Sequence, residues 1–248
     1  MKKIILTLVS VVITVSMVVA QSFSTSDMFQ TNDDVVHYNK SEKGLFFITH
    51  SLDQSIGTNS VSCNDGVNHT DNSYFRLFDL VTEFGINEDI QISSVEFGVQ
   101  EASSSGGTQP VHVNVYTLVG TFELAHLTLI ASEVIELADQ TLTIMDVPIT
   151  ALIPQGSILV VEIFTPEGQT AGNKFFIGSN ALGQTGPSYI VADDCGVSEP
   201  TPIEDLGFTN HYVINVNADL PVSVPINNWA IILSFLLISS FILIRTRV

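Results

Sequence analysis

Short apolar runs dominate this chain: stretches rich in Val, Ile, Phe, Tyr and Thr are broken every few residues by Gly, Pro, Asn, Asp and Ser. In 111–118 the residues Val111, Val113 and Val115 alternate with His112, Asn114 and Tyr116, the period-two pattern of a strand with one buried and one wet face. Comparable runs at 73–79, 90–99, 127–136, 140–149, 157–164, 174–177, 187–192 and 211–216 bring the expected count to about nine strands. No segment of the body keeps a helical period bounded by caps, which argues against alternating β-α-β architecture. The pattern therefore predicts one all-β domain over 59–218, a jelly-roll-like β-sandwich long enough to bury a core.

Around that domain the texture changes. Residues 21–58 are polar and mixed and read as a leader, with Leu45-Phe46-Phe47-Ile48 as its one apolar patch and one candidate strand. Prolines at 200 and 202 lack the N–H that a ladder needs, so 198–207 is expected to be a loop. Residues 219–224 form a spacer.

The two ends point to export. Lys2 and Lys3, an apolar stretch and the small residues closing at Ala20 describe a signal peptide over 1–20, cleaved after Ala20. At the other end 229–244 carries no charge, and counting back to Pro225 gives a run just long enough for one helix across a bilayer, about 17 to 25 residues. Trp229 stands where an interfacial aromatic belongs, and Arg245 and Arg247 would stay cytoplasmic with Lys2 and Lys3. The segment 225–248 is thus expected to anchor the protein with its body outside.

Charge sharpens this reading. Four of the eight basic residues belong to the ends, which leaves 4 basic against 26 acidic residues in 21–224, a balance of −22. Such a body stays soluble, repels nucleic acid and favours cations or neutral polymers as partners. In an oxidising exterior the two cysteines, Cys63 and Cys195, read as one disulfide. Two buried free thiols are the alternative, because sequence does not fix their separation.

Candidate chemistry is sparse. The six histidines show no zinc or metalloprotease spacing, and neither a Gly-x-Ser-x-Gly elbow nor a phosphate loop occurs. Glu96, Glu101 and Glu162 are strand carboxylates from which a glycosidase pair could be drawn, against the simpler reading of solvated strand faces. The turn from Asn64 and Asp65 through Gly66 to Asp71, joined by Asp193 and Asp194 if the disulfide forms, offers the oxygen ligands of a structural Ca²⁺ site. Local side-chain to backbone bonds explain the same letters. No other cofactor is called for. Tyr74, Tyr116 and Tyr189 suggest a sugar-stacking platform, with burial in the core as the default for aromatics on strands.

At the C-terminus Pro225, Trp229, the apolar run and Arg245 with Arg247 resemble the IPTL-CTERM type of bacterial sorting signal, a relative of the PEP-CTERM signals. Ile226 and Asn227 stand where that family has Thr-Leu. The resemblance implies a bacterial envelope protein, held in the membrane at least transiently, with an exosortase-like sorting peptidase as partner. The body resembles a β-sandwich module of exported bacterial proteins through 71–80, 160–166, 175–180 and 194–196, a likeness that implies a fold and no activity. The expectation is a noncatalytic surface protein that binds glycans or another surface component. An exported hydrolase with a carboxylate site and a structural matrix component are the alternatives.

Overall fold

A computed structural model describes residues 22–25 and 46–221. The expected signal peptide, most of the leader and the anchor, with Pro225, Trp229, Arg245 and Arg247, lie outside the described residues, and among these no helix is long and apolar enough to cross a membrane.

Among the described residues fifteen strands follow in order: β1 (Ser22–Thr25), β2 (Phe46–Thr49), β3 (Val61–Asn64), β4 (Asn72–Asp79), β5 (Ile90–Ser103), β6 (Thr108–Leu118), β7 (Leu127–Ala138), β8 (Gln140–Ile153), β9 (Ile158–Thr165), β10 (Lys174–Ile177), β11 (Ser179–Asn180), β12 (Ser188–Ala192), β13 (Val197–Pro202), β14 (His211–Tyr212) and β15 (Ile214–Asp219). These residues are all-β, and the helical pieces among them are single 3₁₀ turns. Nine strands were expected, with one more candidate in the apolar patch 45–48, where β2 lies; the other additional ones are two to six residues long, such as Ser179–Asn180, too short to carry a period. The expected loop at 198–207 is corrected as well: Val197–Pro202 is an edge strand that pairs only with β12. Prolines are tolerated there because an edge strand needs a donor on one side only.

Two main antiparallel sheets face each other. One runs β2-β15-β5-β8, with β10 taking over from β15 along the same edge of β5, and the other runs β13-β12-β4-β9-β6-β7. Their facing sides form one core: Ile92, Phe97 and Val99 of β5 belong to the same buried cluster as Val111, Val113 and Val115 of β6 and Val161 and Ile163 of β9. The β6 alternation read from the sequence is the pattern that packs here, and each such side chain contributes about 1.5–3 kcal/mol when removed from water.

Where β15 hands over to β10, three backbone groups close a triangle. The Gly98 N–H donates to Val213 O (2.8 Å), the Val213 N–H to Gly178 O (2.9 Å) and the Gly178 N–H to Gly98 O (2.7 Å). A Cβ on Gly178 would stand 2.5 Å from the Gly98 backbone, so only glycine admits this approach.

Two further devices fix the segment 178–213 on the sandwich. The Cys63–Cys195 disulfide, with Cα atoms 6.1 Å apart, ties β3 to the turn between β12 and β13. Arg76 projects from β4 on the core side and is 0% exposed. Its Nε and Nη2 donate to Tyr212 O (3.1 and 2.6 Å), and its Nη1 to Gly186 O (2.6 Å) and Gln184 Oε1 (2.9 Å). Among the described residues no carboxylate touches the guanidinium; the nearest relay is Gln184 Nε2, which donates to Glu204 Oε1 (2.6 Å). Burial pushes the group down to about 9, with the Tyr212 hydroxyl and Glu204 opposing, so it stays charged at neutral pH.

Candidate functional site

The outer side of the six-stranded sheet departs from the usual wet face. On β9 the run Ile158–Thr165 is apolar at both parities, so that Val161 enters the core while Val160 is equally buried on the opposite side. A strand apolar on both faces must be covered on both. The cover is a second, small cluster of Phe75, Leu118 and Val160, flanked by Leu77, Tyr116, Phe122, Leu127 and Tyr189. Phe122, in the loop between β6 and β7, meets Phe75 edge-on at 5.7 Å and Tyr189 at 4.8 Å. The loop is pinned by the Leu124 N–H, which donates to Glu199 Oε2 (3.0 Å).

Glu162 stands in the middle of this face. The strand registers place Tyr189, Phe75, Glu162, Asn114 and Ser132 in one row across five strands, with Phe164 and His112 paired in the next. Glu162 is 8% exposed, and its Oε2 accepts hydrogen bonds from Tyr116 Oη (2.7 Å) and Asn114 Nδ2 (2.9 Å). Ser132 Oγ donates in turn to Asn114 Oδ1 (2.6 Å), which orients the amide. Burial, reinforced by the Glu162 charge, pushes the Tyr116 hydroxyl far up, so it remains a donor. His112 and Phe164 meet edge to face at 5.4 Å beside the carboxylate, both half-buried.

Glu162 thus stands as a hydrogen-bond acceptor within a row of neutral donors and half-buried rings. The three strand carboxylates Glu96, Glu101 and Glu162 do not come together. Glu96 lies on the outer side of the other sheet, where Asn217 Nδ2 (3.0 Å) and Asn215 Nδ2 (3.4 Å) donate to it, so both sheets separate it from Glu162. Glu101 is five residues further along β5, about 16 Å at the rise of an extended strand. It pairs with Lys174 Nζ at 2.9 Å. The cross-strand neighbour of Glu96 is Asp146, and the two amides on Glu96 hold it as an acceptor.

The tyrosines divide. Tyr74 is fully buried in the core, whereas Tyr116 and Tyr189 lie half-buried on the outer face. The signal was present in the parity of 111–118: with Val111, Val113 and Val115 inside, Tyr116 must point the other way.

The expected calcium ligands come together in part. Asn64 Oδ1 accepts from the Gly66 N–H (2.9 Å), and Asp65 Oδ1 accepts from the Val67 and Asn68 N–H groups (2.9 and 2.8 Å), so their oxygens serve the turn itself. The disulfide brings Asp193 and Asp194 toward Asp71, whose carboxyl is pushed up by burial first, then by Asp194, with Asp193 and Glu167 adding. Among the described residues no three His, Cys, Asp or Glu side chains are arranged to hold a metal ion.

Three histidines are structural. The His50 ring stacks on Phe78 at 4.9 Å and bonds Thr185 Oγ1 (2.8 Å) and Leu77 O (2.7 Å). His69 Nε2 bonds Pro166 O (3.0 Å), and His211, 1% exposed, pairs through its backbone with Asn180. Burial lowers all three, His211 to about 4 with Arg76 adding to the effect, against an ordinary 6.5. A histidine lowered in the native state favours folding above its unfolded value and loses that contribution as pH falls toward its folded one. Unfolding free energy is therefore expected to fall between pH 6.5 and 4, by about 3 kcal/mol from His211 alone. Denaturant titrations across that window check this, and His211→Gln should flatten the slope.

No family model matches the chain, and neither does any curated protein. Among solved structures it is similar to the cysteine protease and lectin-like domains of Cwp84, a surface layer associated protein of Clostridium difficile, at 14% identity and a TM-score of 0.48, over 70% of this chain and 36% of that one. A structure of the clostridial Cwp84 protease after propeptide cleavage gives 12% identity and a TM-score of 0.43, over 77% of this chain and 41% of that one. The chain thus spans less than half the length of either.

Proposed function

We propose that this chain is a noncatalytic exported protein of a bacterial surface, a jelly-roll module that binds glycans on the outer side of its six-stranded sheet and is held at the envelope by the segment 225–248. The observation that carries the reading is the Glu162 row. A strand face that only needed to be wet would not keep Phe75, Phe164, Tyr116 and Tyr189 around an oriented carboxylate. Half-buried rings offer apolar area to the flat faces of sugar rings, and a fixed acceptor with nearby amide and hydroxyl groups gives direction to sugar hydroxyls. The jelly-roll reading draws on the strand orders β2-β15-β5-β8 and β4-β9-β6-β7, the two interleaved four-strand sheets of that topology.

A glycan array probed with the full-length protein tests the proposal. Retention on at least one glycan class is expected, weakened in Phe164→Ala, whose stacking surface is removed. Silence across the array would overturn it in favour of a matrix role, and retention undiminished in Phe164→Ala would place binding elsewhere.

A further inference from the structure

Glu162 is a nearly buried carboxylate with no cation. The only lysine and arginine among the described residues are Arg76 and Lys174. Arg76 is sealed on the core side of β4 against Tyr212 O and Gly186 O, and Lys174 lies on the other sheet, paired with Glu101 at 2.9 Å. Among the described residues the charge-bearing side chains placed on the outer side of the six-stranded sheet and its covering loop are acids and histidines: Asp79 ends β4, Glu136 lies on β7, Glu199 supports the loop from β13, His112 stands on β6, and His126 lies in the loop 3.9 Å from Glu123. Tyr116 and Asn114 satisfy Oε2 with neutral donors, and among the described residues Oε1 is not one of the sealed atoms left without a partner, so it faces the solvent.

A carboxylate with one oxygen held by neutral donors and the other open at the surface is a place where an ammonium gains a charge-assisted hydrogen bond. The surroundings suit that group, because the Phe164 ring lies two residues along the strand, about 7 Å away, within range for a cation to meet both the ring and the carboxylate.

From these observations we propose that the glycan bound on this face is a cationic one, a polymer of amino sugars with free amines, whose ammonium pairs with Glu162 Oε1 while its ring lies against Phe164 and His112. This inference rests on the glycan reading above and deepens it. A polymer of neutral sugars would leave Glu162 without its counter-charge, and an N-acetylated one would present an amide in place of the ammonium. The row from Glu162 through Asn114 to Ser132, spaced by about 4.8 Å from strand to strand, gives the hydroxyls of the same sugar their partners.

Calorimetric titration of the full-length protein with four tetramers decides the matter: glucosamine, N-acetylglucosamine, glucose and lysine. Glucosamine tetramer is expected to bind about tenfold or more tightly than either neutral sugar, the size of one charge-assisted hydrogen bond. Glu162→Gln, which keeps the size of the side chain and an oxygen acceptor for Tyr116, is expected to erase that preference with an unchanged melting temperature. Phe164→Ala should weaken glucosamine binding while preserving the preference, which guards against a Glu162 variant that fails to fold. Neutral sugars binding as tightly as glucosamine, or a preference that survives Glu162→Gln, would overturn the cationic ligand and leave glycan binding standing. Lysine tetramer binding as tightly as glucosamine would overturn a sugar as the ligand. No binding of any sugar would overturn both readings.

Discussion

Replacing Arg76 by methionine is expected to destabilise the fold by about 2 to 4 kcal/mol, the scale for leaving several buried or half-buried acceptors without their donor at about 1–3 kcal/mol for each that is sealed. The reason lies in what the guanidinium leaves behind. Tyr212 O, Gly186 O and Gln184 Oε1 all accept from it, and Tyr212 O, the buried one, would keep only the bond from Ser51 Oγ at 3.2 Å. Methionine fills the space but donates nothing. Arg76→Lys keeps the charge yet cannot reproduce the fork that serves Tyr212 O twice, and an intermediate loss is expected. Urea unfolding at pH 7 is the measurement, read as a shift of midpoint at constant slope. A methionine variant within about 1 kcal/mol of the parent would mean that the carbonyls find other donors, and the network would lose its assigned role.

Breaking the Cys63–Cys195 bond should have a comparable effect. The cross-link spans 132 positions, and in the chain-entropy account closing a loop of that size limits the unfolded chain by up to about 5 kcal/mol. For a domain of this size that corresponds to a fall of roughly 10 to 20 °C in the melting temperature. The double variant Cys63→Ser with Cys195→Ser, compared with the parent under reducing and non-reducing conditions, separates the bond from the side chains. A parent whose stability ignores reductant would overturn the prediction.

Much of this architecture was legible from residue pattern. The strict alternation of 111–118 named the buried valines of β6, and the even cysteine count in a chain expected to be exported to an oxidising exterior pointed to the disulfide. What escaped did so for physical reasons. The proline rule assumes a strand paired on both sides, and β13 is paired on one. His211 and Ile214 belong to different sheets because the chain switches partners at Val213, a tertiary event with no local signature. Arg76 occupies a core parity position between Tyr74 and Phe78, where a charged residue reads as an interruption, and its acceptors come from 108 to 136 residues downstream.

The Glu162 face was half-legible. Apolar residues at both parities in Ile158–Thr165 already require two covered faces, and Glu162 is the one charged residue in that run. The sequence does not say that Asn114 and Tyr116 arrive from the neighbouring strand to hold it, since that pairing depends on register, and β6 lies some fifty residues away along the chain. Nor does it separate Glu96 from Glu162, because two strand carboxylates look alike until the sheets to which they belong are known.

The disulfide also sets the route that tension takes through the molecule. β2 and β15 are antiparallel neighbours, with Phe46 opposite Ala218 and Thr49 opposite Asn215, so the chain enters and leaves the sandwich side by side. A pull on those two ends would peel this ladder one rung at a time, the weak direction for a β-pair, and would unravel the chain inward until it reached the cysteines. There the load would cross from Cys63 to Cys195 through the covalent bond and bypass everything between. Phe75, Asn114, Tyr116, Glu162, Phe164 and Tyr189 all lie inside that bypassed span, so the Glu162 face would sit on a mechanically unloaded loop while the ends of the domain stretch.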